Sequence, residues 1–313
     1  MLKKLLITEE EDVYENLRSA TVYTPKNFSE LSNMKMLAPK AIFWGGGTYL
    51  MTRETNENLD NPREIISLDK IPELKEIFRT DNSIEVGSMV NLEDFATACR
   101  PIFKDEVIQA IRSIGTQIIR KQATIGGALC TRKIKTSLPA ILYCMEAQVE
   151  IKSLKRKKTF SRWISISSLY DTNGKLTLSD DSILVKIKIY PQKDKYYFFR
   201  TTGSPMLDSE TTTIFGISNL INQNNLLSTR IIFLYPQIGL HIPEETTTQL
   251  ANQFIPINPQ RIQKLAQNLG SNIKKHFPNL SELQLEQSTR IFESYLYYLN
   301  RSFLELIQIN KKK

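Results

Sequence analysis

The sequence predicts an α+β protein of two or three compact units, with a boundary near residues 190–203. Three observations point there. Strands and helices alternate through about Cys144, alternating or apolar β runs fill residues 149–189, and long helical stretches follow from Pro259 and Leu280. At 313 residues the chain is long enough for each unit to bury its own core.

Residues 1–20 read as a strand-like start and a short acidic helix. Thr24-Pro25 opens a helix, with Pro in the first turn, that runs to about Ala38 and is stopped by Pro39. Ala41–Trp44 is a short apolar strand that delivers Gly45-Gly46-Gly47. Glu64–Leu68 and Ile84–Gly87 read as strands, Asn91 caps a helix reaching about Cys99, and a second helix covers Asp105–Ile114. Ala123-Thr124-Ile125-Gly126-Gly127 is a second glycine turn, and Leu138–Cys144 is helical. Val149–Leu154, Thr159–Trp163 and Ile183–Ile189 are β runs joined by turns such as Asn173-Gly174. Tyr196–Thr201 is a further strand. A helix around residues 210–223 and a strand over Arg230–Leu234 precede the final helices.

Composition excludes several classes. Hydrophobic residues at 41% and charged residues at 24% fit a folded domain rather than disorder. No apolar run approaches the ~18 residues that cross a bilayer. Glu9–Asp12 cut the apolar N-terminus too short for a signal peptide, so a cytoplasmic location without membrane contact is expected. Cys99, Cys130 and Cys144 lack metal-ligand spacing, which argues against a disulfide framework, a zinc site or a self-contained iron–sulfur cluster. His241 and His276 sit in no catalytic pattern and read as surface or packing residues. The net charge of +8 is scattered apart from Lys155–Lys158 and Lys311–Lys313, with no aromatic-interleaved basic stripe, so nucleic acid is not an expected partner.

The two glycine turns carry the functional signal. A strand ending in consecutive glycines lets backbone N–H groups converge without Cβ interference, which suits a phosphate or pyrophosphate. Thr48 adds a hydroxyl beside the first turn and Thr124 beside the second, so two nests can grip one dinucleotide from both sides. Neither turn fits the Rossmann or P-loop pattern.

Four segments in order resemble one family. Trp44-Gly45-Gly46-Gly47-Thr48-Tyr49-Leu50 resembles an Ala-Gly-Gly-Thr-Asp-Leu loop, and Ile65–Leu74 resembles Leu-Val-Asp-Leu-Ser-x-Ile-Pro-Glu-Leu. Ser113–Arg120 is similar to Ser-Ile-Gly-x-x-Gln-Ile-Arg, and Ala123–Gly127 to Ala-Thr-Ile-Gly-Gly-Asn. The family is the FAD-binding subunit of xanthine, carbon monoxide and related molybdenum hydroxylases. The resemblance implies a flavin domain of the vanillyl-alcohol-oxidase/PCMH type over residues 1–195. Its lobes would be about 1–80 and 81–195, with FAD between them, and a C-terminal α+β domain would span 196–313. It further implies that Trp44, Gly45, Gly46, Gly47, Thr48, Tyr49 and Leu50 hold the pyrophosphate from the first lobe. Ala123, Thr124, Gly126, Gly127 and Thr131 would hold it from the second. Ile114, Gly115 and Leu184 would lie near the isoalloxazine, unless Ile114 and Leu184 merely pack the core, and Arg200 would stand where the family often has a base.

The pattern also departs. Ala128 replaces the Asn after Gly-Gly, Tyr49 replaces an acidic residue, and Thr136 or Ser137 stands where an Asp is usual. Each lost hydrogen bond costs ~0.5–1.5 kcal/mol. Arg132, Lys133 and Lys135 bring positive charge that can offset the loss. In the family the flavin subunit performs no substrate chemistry. Molybdopterin and [2Fe-2S] clusters reside in partner subunits, and FAD passes their electrons to NAD or another acceptor. The chain itself offers no catalytic residue and no metal set, and covalent flavin attachment through histidine is not expected. Two other readings are a degenerate relative kept for assembly and a stand-alone flavoprotein.

Overall fold

Three sheets organise the computed structural model, which describes residues 21–51, 64–131, 133–155, 160–192, 194–203 and 211–311. The strand and helix expected in residues 1–20, Arg132, residues 156–158 of the basic cluster, Thr159 at the start of an expected β run and the last two lysines lie outside these residues.

The first sheet is small and parallel. β1 (Thr21–Tyr23) and β2 (Ile42–Trp44) flank β3 (Glu64–Ser67), and Leu31 of helix α1 (Phe28–Leu37) packs with Ile66. Helix α1 begins three residues later than Thr24-Pro25 suggests. Asn27 accepts the Glu30 N–H at 2.9 Å, and Glu30 returns a carboxylate to the Lys26 N–H at 2.9 Å, a reciprocal cap stronger than the proline signal.

The second sheet is antiparallel, in the order β4 (Ile77–Arg79), β5 (Ile84–Gly87), β8 (Ser182–Ile189), β6 (Gln148–Ser153), β7 (Ser161–Ser165). Register slips between Glu150 and Ile151, and this bulge breaks the alternation of β8. Ile183 and Val185 therefore join the core of the first lobe, whereas Leu184, Ile187 and Ile189 join that of the second. The latter core is covered by α2 (Leu92–Cys99), α3 (Asp105–Arg112), α5 (Ile125–Leu129) and α6 (Leu138–Cys144), with α4 (Gln117–Gln122) at its margin.

The third sheet, β12-β11-β10-β9, follows β9 (Lys195–Thr202), β10 (Thr213–Asn222), β11 (Asn225–Tyr235) and β12 (Gly239–His241). The helix expected around 210–223 is thus a strand. Thr213–Asn222 is nearly continuously buried, because α6 covers one face and the C-terminal helices the other. A strand buried on both faces loses its period of two and reads like a helix segment. Ile214, Ile232, Leu234 and Tyr197 join the second-lobe core, so one apolar interior crosses the 190–203 boundary. On the other face α7 (Glu244–Leu250), α8 (Pro259–His276) and α9 (Glu282–Lys311) enclose a separate core around Phe215, Phe233 and Phe292.

The junction also carries charge. Lys195, whose side chain is 2% exposed, donates to Glu146, and Arg230 Nε lies 3.2 Å from the same carboxylate. Burial opposes ionisation of Glu146, yet Lys195 and Arg230 hold its carboxyl below the usual range. Glu146→Ala leaves a buried ammonium unpaired and is expected to cost ~2–3 kcal/mol. That is below the full value for a wholly buried pair, because Glu146 is one-third exposed; urea unfolding midpoints check it.

Burial, with His276 4.8 Å away, pushes His241 down to about 4. The unfolded chain takes up that proton first, so stability is expected to fall as pH drops from ~6.5 towards the folded value. The contribution of Glu146 is lost only below the ordinary carboxylate range of ~4.3. Replacing His241 with Gln should flatten the first slope and spare the second in a pH series of thermal melts. A slope unchanged by the substitution would contradict the assignment.

Candidate cofactor-binding cleft

The first glycine turn leaves β2 at the carboxyl edge of the parallel sheet. The Leu68 N–H donates to the Trp44 carbonyl at 3.1 Å, and the chain then turns sharply through Gly47, whose φ is +71°. A Cβ there would stand 2.4 Å from Cζ2 of Trp44, so the indole folds directly over the turn. Tyr49 and Leu50 follow, both half-buried, and the Met51 N–H closes the turn on the Gly47 carbonyl at 3.0 Å. Among the described residues the N–H groups of Gly45, Gly46, Gly47 and Thr48 meet no acceptor. Half-buried donors without partners are costly unless water or a ligand satisfies them.

The second turn is built differently. It is the N-terminus of α5, capped by Thr124, whose Oγ1 accepts the Gly127 N–H at 3.0 Å. The Ile125 N–H donates to Val90 C=O at 3.0 Å and the Gly126 N–H to Ser88 C=O at 2.7 Å. Here the expectation of a second open nest is corrected: these amides already have partners inside the protein. Ala123 is engaged as well, its N–H on Ile119 C=O at 2.7 Å and its carbonyl receiving the Leu92 N–H at 2.9 Å. What the second turn offers the cleft is the hydroxyl of Thr124, which donates to no acceptor among the described residues.

The turns meet face to face. A Cβ on Gly46 would fall 1.7 Å from the Gln122 carbonyl oxygen, and one on Gly45 would fall 2.8 Å from Thr124 Oγ1. Beside this contact lies a cavity of about 330 Å³ whose lining includes Gly45, Gly46, Met89, Asn91, Lys121 and Thr124. That volume is at the lower end of the ~300–1,000 Å³ range of small-molecule clefts. On its wall Lys75 is paired with Asp69 at 2.6 Å, and Asp94 accepts from Asn91 Nδ2 at 2.7 Å.

Other residues expected at the cofactor lie elsewhere. Ile114 and Leu184 are 9% and 2% exposed within the second-lobe core, the packing position left open above. Gly115, at φ +62°, is exposed and gives its carbonyl to Arg120 Nη1 at 2.7 Å. Thr131 is buried, with its hydroxyl donated to the Lys133 carbonyl at 2.7 Å. Arg200 shares the helix-side face of β9 with Phe198 and Thr202, whereas Tyr197 and Phe199 face the second-lobe core, so the guanidinium starts from the other side of the sheet. Of the expected offsetting charges, Arg132 lies outside the described residues, and neither Lys133 nor Lys135 lines the cavity. Lys133 Nζ donates to the Gln237 carbonyl at 3.3 Å, and Lys135 is 5% exposed. Lys121 and Asn91 do line it. Asn91 reads from sequence only as a helix cap, and Lys121 has no signal beyond its place two residues ahead of the second turn.

Two small lobes whose glycine-bearing turns meet beside a cleft, followed by a helix-backed antiparallel sheet, define a two-lobed cofactor-binding architecture. Residues 16–192 match the family model of the FAD binding domain in molybdopterin dehydrogenase, so the chain belongs to that family and is an oxidoreductase subunit of this kind. It is 24% identical over 270 residues to the xanthine dehydrogenase FAD-binding subunit of Escherichia coli O157:H7, covering 81% of this chain and 86% of that one. It is 25% identical over 177 residues to the nicotinate dehydrogenase FAD-subunit of Eubacterium barkeri, covering 53% and 57%. A chain of quinoline 2-oxidoreductase from Pseudomonas putida 86 shares the fold at a TM-score of 0.74 and 15% identity, over 91% of this chain and 98% of that one.

Gly46→Ala tests the face-to-face contact. Backbone must move to admit the methyl group, at a cost of ~1–3 kcal/mol. Thermal unfolding should show that loss; an unchanged melting curve would mean that the turns do not touch.

Proposed function

We propose that this chain holds FAD with its diphosphate across the meeting point of the two turns and works as the electron-transfer subunit of a molybdenum hydroxylase. The observation that carries the reading is the run of unpartnered N–H groups from Gly45 to Thr48, which begins where Gly45 meets the Thr124 hydroxyl. Backbone donors of this kind suit a phosphate without help from an acidic or amide side chain, which makes Tyr49 and Ala128 tolerable departures. The residues therefore fit the group.

When bound, FAD supplies the ability to accept and release electrons singly or in pairs. The protein's own part is to orient the flavin and to exclude water. The flavin domain is assigned to residues 1–195 and the C-terminal domain to 196–313. Trp44 to Leu50 with Ala123, Thr124, Gly126 and Gly127 form the diphosphate contact. For Gly126 and Gly127 that contact is through their surface rather than their amides.

Molybdopterin and [2Fe-2S] clusters are assigned to partner subunits. Among the described residues no group of His, Cys, Asp and Glu is placed to hold a metal ion, and burial pushes the Cys144 thiol up to about 12, far from a ready ligand or nucleophile. The electrons then go to NAD or another soluble acceptor. No helix among the described residues is long and apolar enough to cross a membrane, which suits work in the cytoplasm. The assembly-only alternative would leave these four half-buried donors to water alone.

The purified chain is expected to be yellow, or to quench the fluorescence of added FAD with a saturating isotherm, and to hydroxylate no purine or other heterocycle by itself. A folded, colourless chain that leaves FAD fluorescence unchanged would overturn the proposal.

A further inference from the structure

We infer that Lys121 is the side-chain cation of the diphosphate site, taking the place of side-chain contacts that the chain lacks at Ala128 and at Thr136-Ser137. The inference rests on the reading of the cleft as the FAD site. Lys121 lines the same cavity as Gly45, Gly46 and Thr124, so one ligand there meets the first turn's amides, the threonine hydroxyl and this ammonium.

Among the described residues, the basic side chains beside it are engaged elsewhere. Lys75 is neutralised by Asp69 at 2.6 Å. Arg120 turns inward, where its Nε meets Glu93 at 2.8 Å and its Nη1 donates to the carbonyls of Arg112 and Gly115. Lys121 is exposed, and among the described residues it has no ion pair or hydrogen bond from its side chain. The one carboxylate on that wall without a cation, Asp94, is turned to Asn91.

The backbone beneath Lys121 is fixed. Thr116 caps α4 by accepting the Ile119 N–H at 3.3 Å, Arg120 clamps its middle, and the Ala123 carbonyl ties its end to the Leu92 N–H. A long side chain on a clamped short helix keeps its reach while its base does not wander. That suits a point charge serving phosphate oxygens from beside a set of backbone donors.

The test is FAD, ADP and riboflavin binding to the full chain carrying Lys121→Met, Lys121→Arg or, as a remote control, Lys264→Met. Lys121→Met is expected to weaken FAD and ADP at least tenfold, as loss of a charge-assisted bond does. It should leave riboflavin, which has no phosphate, unchanged and should flatten the salt dependence of FAD affinity. Lys121→Arg should stay within about threefold of wild type, and Lys264→Met should match it. Thermal melts of the exposed variants should coincide, which separates binding from folding. If wild type binds FAD and Lys121→Met binds FAD and ADP as tightly, the inference fails while the flavin reading stands. If wild type binds neither FAD nor ADP, the flavin reading itself fails.

Discussion

The contact between Gly46 and the Gln122 carbonyl constrains everything else in the flavin-side half of the molecule. With no Cβ to hold them apart, the turn that leaves the parallel sheet and the turn between α4 and α5 come to van der Waals distance. That contact joins the lobes beside the cavity that Gly45 and Gly46 line. The bulge in β8 serves the same join from behind: it sends Ile183 and Val185 into one lobe and Leu184 and Ile187 into the other, so a single strand belongs to both cores.

The two turns look alike in sequence and divide the work in three dimensions. At Gly45–Thr48 the chain leaves a strand, and among the described residues no carbonyl takes its N–H groups. At Ile125–Gly127 the chain enters α5 alongside Ser88 and Val90, and those carbonyls take the amides. A Cβ on Gly126 would stand 2.9 Å from the Ser88 side chain, so that glycine serves helix-to-strand packing. On the proposed reading, an anion in this cleft meets backbone donors on one side and side chains on the other. That asymmetry makes the identity of residues such as Thr124 and Lys121 matter more than the glycine count suggests.

The glycine turns, the strand leading to the first of them and the cap at Asn91 are legible because each is a local signal: apolar run, breaker, capping side chain. Thr213–Asn222 was misread as helix because burial on both faces erased the alternation that marks a strand. The short helix α4 was invisible for a different reason. Its six residues carry no apolar stripe, and it is held by Arg120, whose partners Glu93, Arg112 and Gly115 are distant or backbone. The site divides the same way. Gly45, Gly46 and Thr124 announce themselves by motif, whereas the inward turn of Arg120 and the outward turn of Lys121 depend on a salt bridge no local pattern encodes. The face taken by Arg200 is equally hidden, since β9 carries alternate residues to opposite faces and the face towards the second-lobe core holds Tyr197 and Phe199.

Amide hydrogen exchange with and without FAD reads the central claim at the atoms that make it. Slowed exchange is predicted at the amides of Gly45, Gly46, Gly47 and Thr48 on adding FAD, with little change at Ile125, Gly126 and Gly127, which are already bonded. Saturating FAD that slows exchange at the second turn and leaves the first untouched would contradict the division of labour between them.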